Sequence, residues 1–187
     1  MKKLLNIAFI SALAMSSLCV SGQKIKENVI DDFTGSARTS TGLIWFSDVG
    51  RFNVYCRFVR IDSVYMLNFK LSLNGTVFSV DKDAALLLKL ESDTIIKLRN
   101  REYTVTTRGG GANGLLGSAS QGANLYFIIP GECLSPLVNI KVKKVRIYTT
   151  DGFIDQEIDY RHAETFIETL RLLIFTPPPE KKNDAKF

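Results

Sequence analysis

Three carboxylates alternate along one short stretch of the chain, at Asp155, Glu157 and Asp159. Alternate residues of a β-strand share one face, and two carboxylates on one face could serve a glycosidase. A hairpin turn at Asp151-Gly152 would, however, set Glu157 opposite Arg146 and Asp159 opposite Lys144. Oppositely charged cross-strand pairs stabilise a solvated sheet face. We therefore predict that these acids form structural ion pairs.

The chain has one histidine, His162, at the start of a predicted helix. A Ser-His-Asp triad or a Cys-His pair would have to use it, and no G-x-S-x-G nucleophile elbow is present. The chain also has no C-x-x-C and no H-E-x-x-H metal motif. The run Asp81-Lys82-Asp83 opens like a calcium loop but lacks the later ligands and the glycine. We predict a solvent-facing His162, no catalytic residue, no metal site and no cofactor.

Trp45 is the only tryptophan in the chain and the first candidate for ligand binding. An exposed indole on a β-rich domain can stack on a sugar ring, because the ring offers a flat apolar face beside one polar N–H group. Its neighbours Leu43, Ile44 and Phe46 are apolar, which also suits a place in the core. Both interpretations stay open at this point.

A second binding candidate is the Gly-, Ser- and Ala-rich segment Gly109–Gly122. Most hairpin connections use two to five residues, so this segment is longer than a hairpin requires. Loops on a rigid scaffold often carry function, although such a segment can equally be a flexible connection. Leu115 and Leu116 either contact a partner or pack onto the domain itself. With Trp45, we predict as binding residues Asn113, Leu115 and Leu116.

The N-terminal residues read as an export signal. Lys2-Lys3 is a positive start, Leu4–Leu18 is an apolar stretch, and Val20 and Gly22 are small residues at the −3 and −1 positions of a cleavage site. We expect residues 1–22 to be removed and the mature protein to begin at Gln23. The apolar stretch is too short and too rich in Ser and Ala for a good membrane span.

Three cysteines bear on compartment and cross-linking. Cys19 leaves with the signal peptide, and the large Leu18 before it argues against a lipid anchor. Cys56 and Cys133 remain, and two thiols in an oxidising compartment can form a disulfide. The alternative is two free thiols packed as small apolar side chains.

The mature chain has the size of one domain, which we place at residues 23–175, followed by a charged flexible tail at 176–187. Loss of the two signal-peptide lysines leaves 22 basic against 19 acidic residues. This mild and dispersed excess, in an exported chain, argues against nucleic acid as a partner. No later segment is long and apolar enough to span a bilayer.

Apolar and polar residues alternate with period two over most of the mature chain, which predicts β-strands. A turn at Asp62-Ser63 sets Phe58 against Leu67 and Cys56 against Phe69, leaving polar residues on the other face. A one-residue slip would destroy that sorting, so the register is well specified.

Two further hairpins follow in the predicted order. The pair Asn74-Gly75 favours a type I′ turn that sets Phe78 against Leu71 and adds a third strand to the same sheet. A three-residue loop near Ser92 then sets Leu88 against Leu98. Residues Glu132–Leu137 read as an irregular turn.

One helix ends the domain, since apolar residues recur at helical spacing before a run of three prolines. These residues are Ala163, Phe166, Ile167, Leu170 and Ile174. The whole pattern predicts a mainly all-β fold, an antiparallel meander arranged as a β-sandwich or open barrel with one C-terminal helix.

Three further segments carry a likeness to a known family: Asp31–Gly35, Gly111–Gly122 and Val145–Gly152. On these segments, and over most of residues 29–173, the chain resembles an uncharacterised family of exported β-rich proteins from Gram-negative gut-type bacteria. The resemblance implies an exported β-rich protein and lends no activity and no functional residue.

We expect a periplasmic or surface-exposed, non-catalytic module that binds a glycan or an envelope protein. The alternative is a carboxylate-dependent hydrolase acting on glycans or peptides. A close pair of buried, unpaired carboxylates would favour the enzyme, and exposed aromatic side chains would favour the binding module.

Overall fold

The computed structural model describes residues 23–47, 52–73, 77–108 and 121–180. The predicted signal peptide at residues 1–22 lies outside these ranges, as does most of the predicted tail. Within them the helices are α1 (Gly131–Asn139) and α2 (Tyr160–Phe175). The strands are β1 (Ile25–Ile30), β2 (Ala37–Thr41), β3 (Ile44–Ser47), β4 (Phe52–Ile61), β5 (Val64–Leu73), β6 (Ser79–Val80), β7 (Ala85–Leu90), β8 (Ile95–Asn100), β9 (Thr104–Val105), β10 (Thr107–Arg108), β11 (Gln121–Ile129), β12 (Val142–Thr149) and β13 (Gly152–Glu157).

Eleven of these strands form one antiparallel sheet in the order β1-β2-β4-β5-β11-β8-β7-β12-β13, with β3 added beside β4 and β10 beside β11. The short strands β6 and β9 pair with each other. Among the described residues the sheet stays open, and β1 and β13 end the strand order. The predicted mainly antiparallel β-fold with a C-terminal helix is therefore confirmed.

The hairpin of β4 and β5 has the predicted register. Phe58 lies opposite Leu67 and Cys56 opposite Phe69, and these side chains are buried. Asp62 sits in the turn with a positive φ of 51°, a conformation that Asp tolerates better than most residues. The apolar face defines the inner side of the sheet, on which the core is built.

The predicted third strand is wrong. The free edge of β5 is taken by β11, which places Ala123 opposite Leu71, whereas β6 pairs with β9. Phe78 is nevertheless buried, as an apolar residue at the edge of the core. The predicted turn at Asn74-Gly75 lies outside the described residues. Sequence-adjacent strands pair often but not always, and here a non-local strand wins the edge.

Two other registers differ from the prediction by two residues. Leu88 lies opposite Ile96 instead of Leu98, and Arg146 lies opposite Asp155 instead of Glu157. A shift of two residues keeps every side chain on its face, so the apolar pattern cannot detect it.

Helix α1 occupies the stretch predicted as an irregular turn. Pro136 inside it lacks the N–H group that would bond to Glu132, which is why the sequence favoured a turn. The helix persists because Leu137 is fully buried and because Asn139 donates its side-chain amide to the Ser135 carbonyl at 2.8 Å.

Helix α2 fills the inner face of the sheet. Its Phe166 ring lies 5.1 Å from the ring of Phe46 on β3 and 4.8 Å from that of Phe58 on β4. Asp159 caps its first turn by accepting a hydrogen bond from the His162 backbone N–H at 2.9 Å.

The other end of α2 meets a buried arginine. Arg60, on the inner face of β4, is 7% exposed. Its guanidinium donates to the carbonyl oxygens of Leu173 at 3.4 Å and Thr176 at 2.9 Å, and to the Thr39 hydroxyl at 3.2 Å. A cation at a helix C-terminus complements the partial negative charge of the last carbonyl groups.

Candidate functional site

Trp45 lies on the outside of the sheet. Its neighbours Ile44 and Phe46 are buried on the inner side, so strand alternation turns the indole outward, where it is 45% exposed. Trp45 faces Tyr55 across β3 and β4, and the two ring centres are 5.6 Å apart. Of the two interpretations left open by the sequence, the structure supports the exposed one.

Trp45 belongs to a polar surface that we call the outer face. It is the side of β2, β3, β4, β5 and β11 that points away from the core. Cross-strand pairing sets its side chains in rows, so that Tyr55, Lys70 and Asn124 form one row. The next row consists of Arg57, Asn68 and Tyr126.

A hydrogen-bond network fixes the second row. Arg57 Nε donates to Asn68 Oδ1 at 2.9 Å, and Asn68 Nδ2 donates to Asn124 Oδ1 at 2.7 Å and to the Leu125 carbonyl at 3.0 Å. Asn68 is fully buried although it lies on the outer face. Because its donors and acceptor are occupied, it holds Arg57 and Asn124 in fixed positions.

A cavity of about 220 Å³ opens farther along the outer face. Its floor is apolar, with the buried side chains of Val59 and Met66. Its rim carries Arg38, Arg101 and Tyr126, together with Ile61 and Glu102.

The predicted binding loop lies mostly outside the described residues, and this includes Asn113, Leu115 and Leu116. The described ends of the loop are placed, because Arg108 pairs with Gln121 and Gln121 pairs with Leu73. Asn124, in the row of Trp45, is only three residues from Gln121, roughly 10 Å along a strand. Arg108 and Gln121, which flank the part of the loop outside the described residues, therefore lie towards the Trp45 end of the outer face.

No protein-family model, curated protein or solved structure matches this chain. Its function therefore has to be inferred from its own residues.

The acidic stretch predicted as a possible glycosidase pair is an ion-pair site. Asp155 accepts hydrogen bonds from Arg146, with Nη2 at 2.6 Å, and its carboxylate lies 3.0 Å from Lys144 Nζ. Mainly through the Arg146 hydrogen bond, the pKa of Asp155 falls to about 2. A general acid needs the opposite shift, so this carboxylate is suited to a salt bridge.

The partners in this stretch differ from the predicted ones. Glu157 lies opposite Lys144, and Asp159 is outside the strand as the cap of α2. His162, predicted to face solvent, is partly buried, with its Nδ1 2.6 Å from the Asp159 carboxylate. Both oxygens of the Asp159 carboxylate therefore contact the first turn of α2.

Asp155→Asn is expected to lower the free energy of unfolding by about 1–2 kcal/mol at pH 7, because Arg146 loses a bidentate anionic partner. The folded-state pKa lies below the ordinary 3.8, so the stabilisation is present above pH 4 and is lost as the pH falls towards 2. Urea unfolding of both proteins between pH 7 and pH 2.5 measures this. The difference should shrink with acidification, and a constant difference would contradict the ion pair. Asp151→Asn, in the exposed turn, is the control.

The structure does not join Cys56 to Cys133; both are free thiols, which was the second of the two alternatives. Cys56 is buried opposite Phe69, and burial raises the pKa of its thiol well above the usual range. Burial, together with the charge of Glu132, also raises the pKa of the Cys133 thiol. Protonated thiols are poor nucleophiles, so neither residue is activated for catalysis.

In residues 23–47, 52–73, 77–108 and 121–180, no three His, Cys, Asp or Glu side chains group closely enough to hold a metal ion. Across these same ranges, neither helix has the length and apolar character needed to cross a membrane.

The sequence predicts only part of the outer face. The hairpin at Asp62-Ser63, in its predicted register, also sets Arg57 opposite Asn68 and Tyr55 opposite Lys70, and both pairs are present. The sequence does not predict Asn124 and Tyr126 on this face, because nothing in the local pattern indicates that β11 lies beside β5.

Proposed function

We propose that the protein is an exported, non-catalytic module that binds a glycan on its outer face. The observation that carries this proposal is the exposed Trp45 indole, packed on Tyr55 beside a fixed polar network. A sugar ring has an apolar C–H face that stacks on an aromatic ring, and hydroxyl groups that need hydrogen-bond partners at its edge. The outer face offers an aromatic ring and hydrogen-bonding groups in two adjacent cross-strand rows.

The fixed network supports recognition because it limits the entropy lost on binding. Asn124 and Arg57 are already held by Asn68, so few side chains have to be ordered by the ligand. The Arg57 guanidinium uses only Nε in this network, which leaves its other N–H groups for hydroxyl oxygens.

Export supplies the location of this module. The positively charged, apolar and small-residue sequence of positions 1–22 and the resemblance to exported Gram-negative proteins both support a periplasmic or surface position. Asn113, Leu115 and Leu116 remain predicted contacts, since the described residues on either side of their segment, Arg108 and Gln121, lie towards the Trp45 end of the outer face.

The decisive variant is Trp45→Ala. It should weaken binding to a glycan, identified by array screening of the wild-type protein, by at least about tenfold, or about 1.4 kcal/mol. Calorimetry with the wild-type protein and the variant measures this. Phe175→Ala is the matched control, because Phe175 is an aromatic residue that is 81% exposed at the end of α2, away from the outer face.

Trp45 also provides a direct signal, since it is the only indole in the chain. Ligand binding should change its fluorescence and reduce its quenching by iodide. Unchanged affinity in Trp45→Ala would overturn the proposal, as would an array without any glycan ligand. Capture of an envelope protein through Trp45 would replace the glycan by a protein partner.

A further inference from the structure

We infer that the cavity between Arg38 and Arg101 binds an anionic substituent of the glycan, a carboxylate or a sulfate group. This inference rests on the proposed function and adds a chemical class to it. Arg101 and Arg38 would hold the anion, and Tyr126 would flank it.

Arg101 is the main cationic group of the cavity. Its backbone N–H donates to the Tyr126 carbonyl at 2.8 Å, which fixes the start of the side chain. Among the described residues, no carboxylate lies within ion-pairing distance of its guanidinium, and Nη1 approaches only the Met66 sulfur, at 3.7 Å. A thioether is a weak acceptor, so most donors of this guanidinium remain available.

Arg38 is held in place while keeping donors of its own. Its Nε donates to Glu27 Oε2 at 3.1 Å, and Ser40 donates to the same oxygen at 3.0 Å. The pKa of Glu27 lies below its ordinary value. Desolvation is the largest single effect and raises this pKa, but the hydrogen bonds from Arg38 and Ser40 and the nearby positive charge together outweigh it. Glu27 therefore stays charged and orients Arg38, whose two terminal nitrogens are left for another acceptor.

The apolar floor strengthens a contact between ions in this position. Val59 and Met66 are buried beneath the cavity, so an ion contact above them is screened less than one in open solvent. Guanidinium groups bind carboxylate and sulfate oxygens with paired N–H donors, a geometry that neutral hydroxyls use less well.

The charge of the surrounding surface points the same way. At the described outward positions of β2, β4, β5 and β11, the charged side chains are Arg38, Arg57 and Lys70, and all three are basic. The rim adds Arg101 and the acidic Glu27, Asp62 and Glu102. This excess of positive charge attracts polyanions to the face before contact is made.

The cavity and the aromatic pair can serve one ligand. Tyr55 and Val59 lie on the same face of β4, four residues apart, which corresponds to about 13 Å along a strand. An extended glycan lying along β4 would cover Trp45 with one sugar and reach the cavity with a later one.

The test uses pairs of polysaccharides that share a backbone and differ in charge. Polygalacturonate and its full methyl ester test carboxylate, and dextran sulfate and dextran test sulfate. The wild-type protein should bind the anionic member of at least one pair at least tenfold more tightly, with a preference that weakens in high salt. Arg101→Met should reduce this preference about tenfold. Arg161→Met, on the exposed surface of α2, removes the same charge elsewhere and should leave it unchanged.

The outcomes separate the two proposals. If the protein binds the charged and neutral members of each pair equally, and Trp45→Ala still abolishes this binding, the anionic site is overturned and the proposal of a glycan-binding module is retained. Equal loss of preference in Arg101→Met and Arg161→Met also overturns the site, because it reports net charge alone. If the protein binds neither pair of polysaccharides and no glycan on an array, both proposals are overturned. Thermal unfolding of each variant confirms that it is folded.

Discussion

Phe69→Ala is expected to lower the free energy of unfolding by about 3–5 kcal/mol, the range for removal of a buried phenylalanine ring. Phe69 is fully buried at the centre of β5. Its ring makes edge-on contacts with Phe46, at 5.4 Å between centres, and with Phe127, at 6.2 Å. Loss of this ring would leave a cavity between β3, β5 and β11 that their rigid backbones cannot close.

Urea unfolding followed by far-UV circular dichroism measures this loss. Lys70→Ala is the control, because Lys70 is the next residue of β5 and points to the outer face. Its effect should remain within about 0.5 kcal/mol, as for most surface substitutions. A loss below about 1 kcal/mol in Phe69→Ala would contradict the inner-face packing.

Arg60→Met is expected to cost about 2–3 kcal/mol of stability. The change removes three hydrogen bonds from a buried guanidinium, one to the carbonyl of Leu173 in the last turn of α2 and one to that of Thr176, the residue directly after the helix. Hydrogen bonds to charged groups contribute about 1.5–3 kcal/mol, and carbonyls left without a donor add a penalty. Relief of the buried charge offsets part of this loss, which keeps the net effect below the sum of the bonds.

Unfolding by urea gives the size of this effect, and amide hydrogen exchange shows its place. The amides of the last turn of α2 should exchange faster in Arg60→Met, whereas the first turn, capped by Asp159, should be unaffected. Arg60→Lys keeps the charge but not the forked donors and should lose about half as much. Wild-type stability in Arg60→Met would mean that burial of the guanidinium costs as much as its bonds contribute.

The sequence predicts those parts of the fold in which a wrong choice would expose apolar side chains. The β4–β5 hairpin is of this kind, because a one-residue slip moves Phe58 and Phe69 to the outer face. The β12–β13 register is not, since a two-residue shift leaves Arg146 on its face and merely exchanges its partner from Glu157 to Asp155. The turn residues between β12 and β13 could not by themselves distinguish the predicted register from the observed one.

The candidate site depends on less local information. Trp45 could have been assigned to the outside from alternation alone, because it stands between two residues, Ile44 and Phe46, that both need burial. Its surroundings could not be predicted, since Asn124 and Tyr126 reach the outer face by pairing with Lys70 and Asn68 of β5, more than fifty residues earlier in the chain. Such long-range pairing leaves no local trace in the chain.

The packing of α2 against the inner face of the sheet also determines how early during synthesis this protein can fold. The helix is the last regular element of the described chain, yet it covers Phe46 and Phe58 from early strands. Strands β1 to β5 therefore have no complete core until residues 160–175 have been synthesised. Long-range closure of this kind slows folding. For a chain that we propose is exported through a membrane, this delay would keep it unfolded, and competent for transport, until its last part has been made.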